Sequence, residues 1–433
     1  MYSGNANISY FITHYEKRLL SALCVNDFPV QASFSAAISG TNGKADNASS
    51  FAVGTILIGR VNRVIPNIQA AFVDIAPGVQ GFLPFRNLAL PSGNPSLPSG
   101  NIHQDHPAQK NGIRQGDPIL VQIDKAAVKT KDVVLTTHLT ISGRYAVLDC
   151  VDSGIHLSRK ASPKQQKRIR DFLTANQITE SVFGQYGCIV RTNAFALDDL
   201  APLITELTEL RASLEHLLDY APARTLYSVL YKPPADYLLA LRDTYALSFE
   251  RIVTDIPTVY EELTAYFTEH GDTESLQKLS FFDNGKRSMS LLNFYRLGEH
   301  IKEALAGHVW LKSGAYLVIE PTESLTAIDV NSGKCTGKNG VEETFFKINA
   351  EAAKMIALQL RLRNLSGMIL VDFINMKEQE NNERLLELLR TYTSDDPVHT
   401  SVIDMTPLGL VEITRKKIRK SLKEQYHETA FHE

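Results

Sequence analysis

Apolar and polar positions change period several times along the chain, and each period predicts an element. From Leu325 the string "LTAIDVN" alternates, as a strand with one buried face does. Through "EETFFKINAEAAKMIALQLRLRNLSG", Ala352, Ile356 and Leu360 recur at helical spacing and Met355, Leu358 and Leu362 fill the neighbouring rows, an amphipathic helix that Gly367 ends. "MILVDF" is nearly unbroken, which suits a buried strand. A strand, a crossover helix and a second strand are expected to lie parallel and adjacent. From Val53 to about Thr137, "GTILIGRVNRVI", "IQAAFVDIA", "GFLPF", "DPILVQIDKAA" and "KDVVLTT" read as short strands separated by turns, which predicts a small β-barrel. The insertion "LPSGNPSLPSGNIHQDHPAQKNG" has no face to bury and reads as a surface loop, with His103 and His106 solvated. "ISYFITH" near the start is strand-like and "SGTNGKADNASS" a linker. Residues 141–210 mix strand and helix patterns, and 206–302 read as mostly helical. After Pro321 and Thr322, which supply a hairpin turn, and after Asp372, come a charged helix, "EQENNERLLELLRTYTSD", and the strand "VHTSVIDM".

A length of 433 residues allows two to four domains. The formal charge of −3 means that contact with nucleic acid needs local basic patches. One candidate patch is Arg415, Lys416, Lys417, Arg419, Lys420 and Lys423, which also fits a solvated helix face. Cys24, Cys150, Cys188 and Cys335 include no C-x-x-C pair, which argues against a zinc motif and a disulfide framework and for a reducing compartment. No apolar run reaches membrane-spanning length and the first residues lack signal-peptide order, so a soluble cytoplasmic protein with no membrane contact is expected.

The strand–helix–strand pattern brings Asp329, with Asn331 two residues on along the same face, beside Asp372 at the carboxyl edge of a sheet, where α/β folds place their sites. Two carboxylates and an amide oxygen suit a hard cation, Mg²⁺ above all. Such an ion lowers the pKa of a bound water and stabilises charge on a phosphodiester. Aspartates that merely end strands or cap turns give the same spacing. Asp255 and Glu261 read as ordinary solvated charges.

The strings "TAIDVNSG", "VEETFFKINAEAAKMIALQLRLRNLSGMILVDFINM" and "GLVEITRKK" resemble the catalytic segment of the ribonuclease E/G family of bacterial endoribonucleases, and weaker similarity follows in the same order over most of the chain. The resemblance implies a multidomain α+β and α/β fold. Residues 1–50 and 211–302 would form an RNase H-like subdomain, 51–140 an inserted OB-fold RNA-binding domain, 141–210 a 5′-sensor region, 303–425 a DNase I-like catalytic subdomain and 426–433 a tail. It also implies that Asp329 and Asp372 hold a catalytic Mg²⁺, or Mn²⁺ in its place, with Asn331 assisting. "GRVNRVIPNIQAAFVDIAPGVQGFLPF" resembles the S-one type of OB-fold, which binds single strands by stacking bases on aromatic side chains beside basic groups. Phe72 and Phe82 then fall at RNA-stacking positions, where composition alone would suggest core aromatics, and Lys125 and Lys131 at basic positions of the same channel. "GCIVRT" resembles the family's sensor of an RNA 5′-monophosphate: Gly143 and Val147 match its backbone contacts, Arg191 and Thr192 its phosphate-binding side chains. Asn193 and Ala194 follow where Ala-Gly is usual. His399 replaces a common Arg or Lys near the active site, with a charge that varies near neutral pH.

Members of that family usually continue after "RKSL" with a C-P-x-C zinc link and a small dimerisation domain, whereas "KEQYHETAFHE" follows here. A homodimer or higher homo-oligomer would then use a surface other than a zinc link. The implied activity is Mg²⁺-dependent cleavage of single-stranded, A/U-rich RNA, preferably 5′-monophosphorylated, in RNA decay and in maturation of ribosomal and transfer RNA precursors. The alternative is a non-catalytic RNA-binding relative. A nuclease of DNA is discouraged by the RNA-binding barrel.

Overall fold

The computed structural model describes residues 7–36, 51–88, 113–125, 132–151, 154–158, 161–176, 178, 186–244, 249–333, 341–394 and 396–428. The chain divides into two compact units, one of Met1–Gly40 with Leu247–Glu433 and one of Thr41–Ala246. The first unit begins with β1 (Ile8–Tyr15), β2 (Arg18–Val25) and β3 (Phe28–Ala36), an antiparallel meander.

The second unit opens with β4 (Ile56–Ile65), β5 (Ala70–Ala76), β6 (Val79–Pro84), β7 (Pro118–Lys125) and β8 (Val133–Thr136). Because β4 pairs with both β5 and β7, the order β4-β5-β6-β8-β7 closes into the expected OB-like barrel, and closure removes the open strand edges. Leu57, Val61, Val73, Ile75, Leu83, Val121 and Leu135 fill its interior. A second sheet, in the order β11-β12-β10-β9, joins β9 (Thr140–Ser142), β10 (Ala146–Asp149), β11 (Gly154–Leu157) and β12 (Gly187–Val190). The helix Ala201–Tyr220 covers it with Leu203, Leu207, Leu210, Leu214 and Leu217, one stripe at helical spacing. Strand β13 (Val229–Tyr231) adds to β4, and the helix Asp236–Thr244 follows. Residues 211–246 thus belong with this unit rather than with the N-terminal strands, because the leucine stripe carries on through the residue-210 boundary into the same core.

Back in the first unit, β14 (Arg251–Thr254) and β15 (Leu279–Phe281) complete a sheet in the order β15-β14-β1-β2-β3, with β14 parallel to both neighbours. The sequence predicts helix through "RIVT"; a short apolar run has no period of its own, and pairing on both sides makes it strand. The last sheet holds β16 (His308–Trp310), β17 (Tyr316–Pro321), β18 (Leu325–Asn331), β19 (Gly367–Asp372), β20 (Thr400–Met405) and β21 (Leu410–Arg415) in the order β16-β17-β18-β19-β21-β20. Only the β18–β19 pair is parallel, as the crossover predicts. One face packs Leu317, Ile319, Ile328, Ile369, Val371 and Ile413 against the helices Val341–Leu362 and Gln379–Thr393. The other carries the exposed Asp329, Met368 and Asp372.

The helix Leu422–Glu428 docks on the first sheet: Phe34 N donates to Gln425 Oε1 at 2.8 Å, and the Arg18 guanidinium lies 4.1 Å from the centre of the Tyr426 ring. Residues 426–428, predicted as the start of a tail, are therefore part of the packed unit. No helix among the described residues is long and apolar enough to cross a membrane.

Candidate active site and nucleic-acid interface

Alternation along β18 turns Thr326, Ile328 and Val330 inward and leaves Asp329 exposed, with Asn331 half-buried at the strand end. Register sets the neighbours. Asp329 stands directly beside Asp372, about 4.8 Å away strand to strand. Asn331 Nδ2 donates to Asp329 Oδ2 at 2.7 Å. The three residues singled out in the sequence are thus together on one open face. Two carboxylates so placed repel each other, and a cation between them relieves that repulsion. No group of three or more His, Cys, Asp or Glu suited to a metal occurs among the described residues. The donor set fits Mg²⁺, which one or two carboxylates commonly hold while water and substrate phosphate complete the octahedron; it does not fit a closed zinc site.

Two supports of this site carry little signal in the sequence. Asn349, fully buried on the helix Val341–Leu362, donates to Ile374 O at 2.8 Å and accepts from Ile374 N at 3.0 Å, fixing the chain just beyond Asp372. Its one trace is an amide among the apolar positions of "KINAEAA". Gly333 has φ +58°, and a Cβ there would stand 2.6 Å from Gly314 O, so only glycine lets the chain turn this closely after Asn331.

On the barrel, Phe72 and Phe82 are register partners with ring centroids 5.7 Å apart, edge to face. Both are half-buried on the outer surface, while Ala71, Val73 and Leu83 point inward. They are not core residues. The row continues across the barrel: Arg63 pairs with Phe72, Val134 with Phe82, and Lys125 with Val134. A cation at each end of an aromatic pair is a surface suited to a single strand of nucleic acid. Arg63 was not predicted, because the bulge between Val61 and Arg63 sets its direction. Lys131 lies outside the described residues.

One pair along this surface, Asp74 accepts from Asn62 and Gln80 at 3.0 Å and pairs with Arg60 at 3.4 Å. Burial pushes its pKa up, but these hydrogen bonds and the Arg60 charge outweigh burial and hold the carboxyl below its ordinary value. A depressed folded-state pKa contributes stability that is present above the unfolded pKa and lost as pH falls through the folded one. Urea midpoints followed by circular dichroism are therefore expected to drop as pH falls below about 4, and less steeply in Asp74→Asn; equal slopes would exclude Asp74 as a contributor.

Around β10 and β12, Arg191 Nη1 donates to Gly143 O at 2.8 Å and Nη2 to Asp243 Oδ1 at 2.7 Å. Thr192 is exposed, its Oγ1 3.1 Å from Ser158 Oγ. Val147 lies within β10, between Ser142 and Ile189. The Glu206 carboxylate accepts from Arg144 N, Tyr145 N and Ala146 N at 2.6, 2.7 and 2.8 Å. It lies 2.3 Å from where a Cβ on residue 143 would be, so a side chain there would have to displace this carboxylate from its three backbone donors. Asn193 Nδ2 donates to Arg144 O at 3.3 Å and Arg242 O at 3.1 Å, so this residue ties its loop to the helix Asp236–Thr244. Glu206 and Asp243 have no local motif that marks them.

Two predicted contacts are placed elsewhere. His399 is exposed, and the next residue, Thr400, pairs with Arg415, itself opposite Gly367. That is the far end of β19 from Asp372, about 16 Å along the strand, so the structure does not bring His399 to the carboxylates. Arg415 does not belong to a phosphate-contacting face: its side chain is 2 % exposed and paired with Asp396, 5 % exposed, at 2.7 Å. Lys420 pairs with Glu428, while Lys416, Lys417 and Lys423 are exposed. Asp255 is not merely solvated, since Thr13 and Asn284 donate to it at 3.0 and 2.9 Å.

A model of the Ribonuclease E/G family matches residues 140–418. The chain is 34 % identical over 378 residues to "Ribonuclease E" of Nostoc sp., covering 87 % of this chain and 53 % of that protein. It is 33 % identical over 370 residues to "Ribonuclease G" of Escherichia coli, covering 86 % and 74 %. Against "Ribonuclease G" of Haemophilus influenzae it is 33 % identical over 372 residues, covering 86 % and 73 %. It thus spans about half the length of the ribonuclease E and about three quarters of the ribonuclease G relatives.

Proposed function

The chain belongs to the Ribonuclease E/G family, and from that membership we propose that it is an endoribonuclease that cuts single-stranded RNA at Asp329 and Asp372. The observation that carries this reading is the register that sets the two carboxylates side by side on an open face, with Asn331 hydrogen-bonded to one of them. Asp329 and Asp372 would hold Mg²⁺, or Mn²⁺ in its place. The ion supplies, when bound, a lower pKa for water and neutralisation of charge on the phosphodiester. Asn331 keeps the Asp329 carboxylate oriented. Water attacks phosphorus and the ribose 3′ oxygen leaves as a hydroxyl, so the products carry a 5′-phosphate and a 3′-hydroxyl.

The row Arg63, Phe72, Phe82 and Lys125 would lead the strand along the barrel, with bases stacked on the rings and phosphates near the cations. Arg191 and Thr192, beside Gly143 and Val147, would receive a 5′-monophosphate. Asp243 pairs with the same guanidinium, and a phosphate must share or displace that contact. We read the sheet β15-β14-β1-β2-β3 as an RNase H-like subdomain and β16–β21 with its two helices as a DNase I-like one. A/U-rich RNA, turnover and maturation of ribosomal and transfer RNA precursors in the cytoplasm, and self-association complete the reading.

The test is cleavage of one A/U-rich RNA bearing either a 5′-monophosphate or a 5′-hydroxyl, with Mg²⁺ supplied or chelated and a DNA oligonucleotide of the same sequence as control. Internal cuts in RNA that disappear on chelation are expected. In Arg191→Ala the monophosphate advantage should vanish while the rate on 5′-hydroxyl RNA stays unchanged; a retained advantage would exclude the sensor assignment. Binding without cleavage at any protein concentration would leave a non-catalytic RNA-binding relative.

A further inference from the structure

The face that carries the carboxylates holds a second feature. Trp310, the single tryptophan of the chain, is 69 % exposed on the edge strand β16. Its register partner on β17 is Tyr316, with ring centroids 5.1 Å apart, and the partner of Tyr316 on β18 is Asn331. Paired residues share a face, so Trp310, Tyr316 and Asn331 form one row. His308, Val318, Asp329 and Asp372 form the adjoining one. The Trp310 strand lies about 10 Å from the Asp329 strand. A lone exposed aromatic is ordinary, but this one is paired with a second ring and in register with the candidate active site.

Neither row contains a lysine or arginine. Beside two carboxylates, this face therefore has little to offer a phosphate by charge, and much to offer a base by stacking. Single-stranded RNA presents unpaired bases that stack on such rings irrespective of sequence. We propose that Trp310 and Tyr316 form a stacking platform for a base flanking the phosphate held at Asp329 and Asp372, a positioning role that rests on the endoribonuclease reading. Binding there differs in kind from binding on the barrel row, where Arg63 and Lys125 make affinity salt-dependent.

Because Trp310 is the only tryptophan, emission excited beyond the tyrosine absorption band reports this position alone. Titration of the full chain, with Mg²⁺ present, with a short A/U-rich single-stranded RNA made uncleavable by a methylene in place of the scissile 3′ oxygen is expected to quench the emission saturably. Trp310→Ala should raise KM by about tenfold with kcat nearly unchanged, the signature of lost uniform binding, and Trp310→Phe should restore KM. An RNA with an abasic residue beside the cleavage site should lose affinity for the parent chain and much less for Trp310→Ala, a coupling that a purely structural role would not produce. Cleavage by the parent chain with no quench and an unchanged KM in Trp310→Ala would overturn the platform while leaving the nuclease intact. Absence of cleavage by the parent chain would instead remove the reading beneath it. An emission shift that follows protein concentration and ignores RNA would assign the face to a second copy of the chain and overturn the proposal.

Discussion

Asp329→Asn and Asp372→Asn are each expected to slow RNA cleavage by about 10³-fold, the scale on which loss of one group that stabilises transition-state charge is felt. Either change removes one of the two charges that face each other across the parallel pair β18–β19. The remaining carboxylate can hold a hard cation only weakly, so the variants should also need more Mg²⁺ for half-maximal rate. Stability should hardly move, since both side chains are exposed and exposed substitutions usually stay within about 0.5 kcal/mol. Single-turnover cleavage across a Mg²⁺ series, with a thermal melt of each variant, separates the two effects. A variant that cuts within about tenfold of the parent rate, set against that scale, would take its carboxylate out of the chemistry.

Asp396→Ala is expected to cost about 3–5 kcal/mol of stability. The Arg415 guanidinium is held at both ends: Nε and Nη2 donate to the two Asp396 oxygens at 2.7 and 3.2 Å, and Nη1 to Asn364 Oδ1 and Leu365 O at 2.8 and 3.0 Å. Taking away the carboxylate leaves a buried cation with backbone and amide partners but no counter-charge. Replacing both residues together, Asp396→Leu with Arg415→Met, should cost much less, because the desolvation of both charges disappears with the pair. Urea unfolding of the two variants decides this. A loss below about 1 kcal/mol in Asp396→Ala would mean that the pair behaves like an exposed one. Where folded, Asp396→Ala should still cleave RNA, since Arg415 pairs with Gly367, at the opposite end of β19 from Asp372.

Much of the architecture is legible in the one-dimensional pattern. Period-two alternation in "LTAIDVN", the helical stripe through Ala352, Ile356 and Leu360, and the closed apolar run "MILVDF" predict strand, helix and parallel strand, and from them the juxtaposition of Asp329 with Asp372. The short strands between Val53 and Thr137 likewise predict the barrel that closes through β4 and β7. Local sequence fails where partners are distant. "RIVT" becomes strand by pairing on both sides, Asn349 matters because Ile374 comes to it from 25 residues away, and Glu206 reaches Ala146 across 60.

Charge was the least legible property. A string such as "RKKIRK" does not distinguish the buried Arg415, the paired Lys420 and the exposed Lys416. Nor does the text of β16 reveal that Trp310 stands in register with Asn331 by way of Tyr316. By itself the sequence determined the periods, hence the elements and the side of each element on which a residue falls, because those follow from backbone geometry within a few residues. Tertiary structure alone decided which of those faces meet and which polar groups are withdrawn from water, because register, bulges and buried partners depend on segments that the chain brings together only on folding.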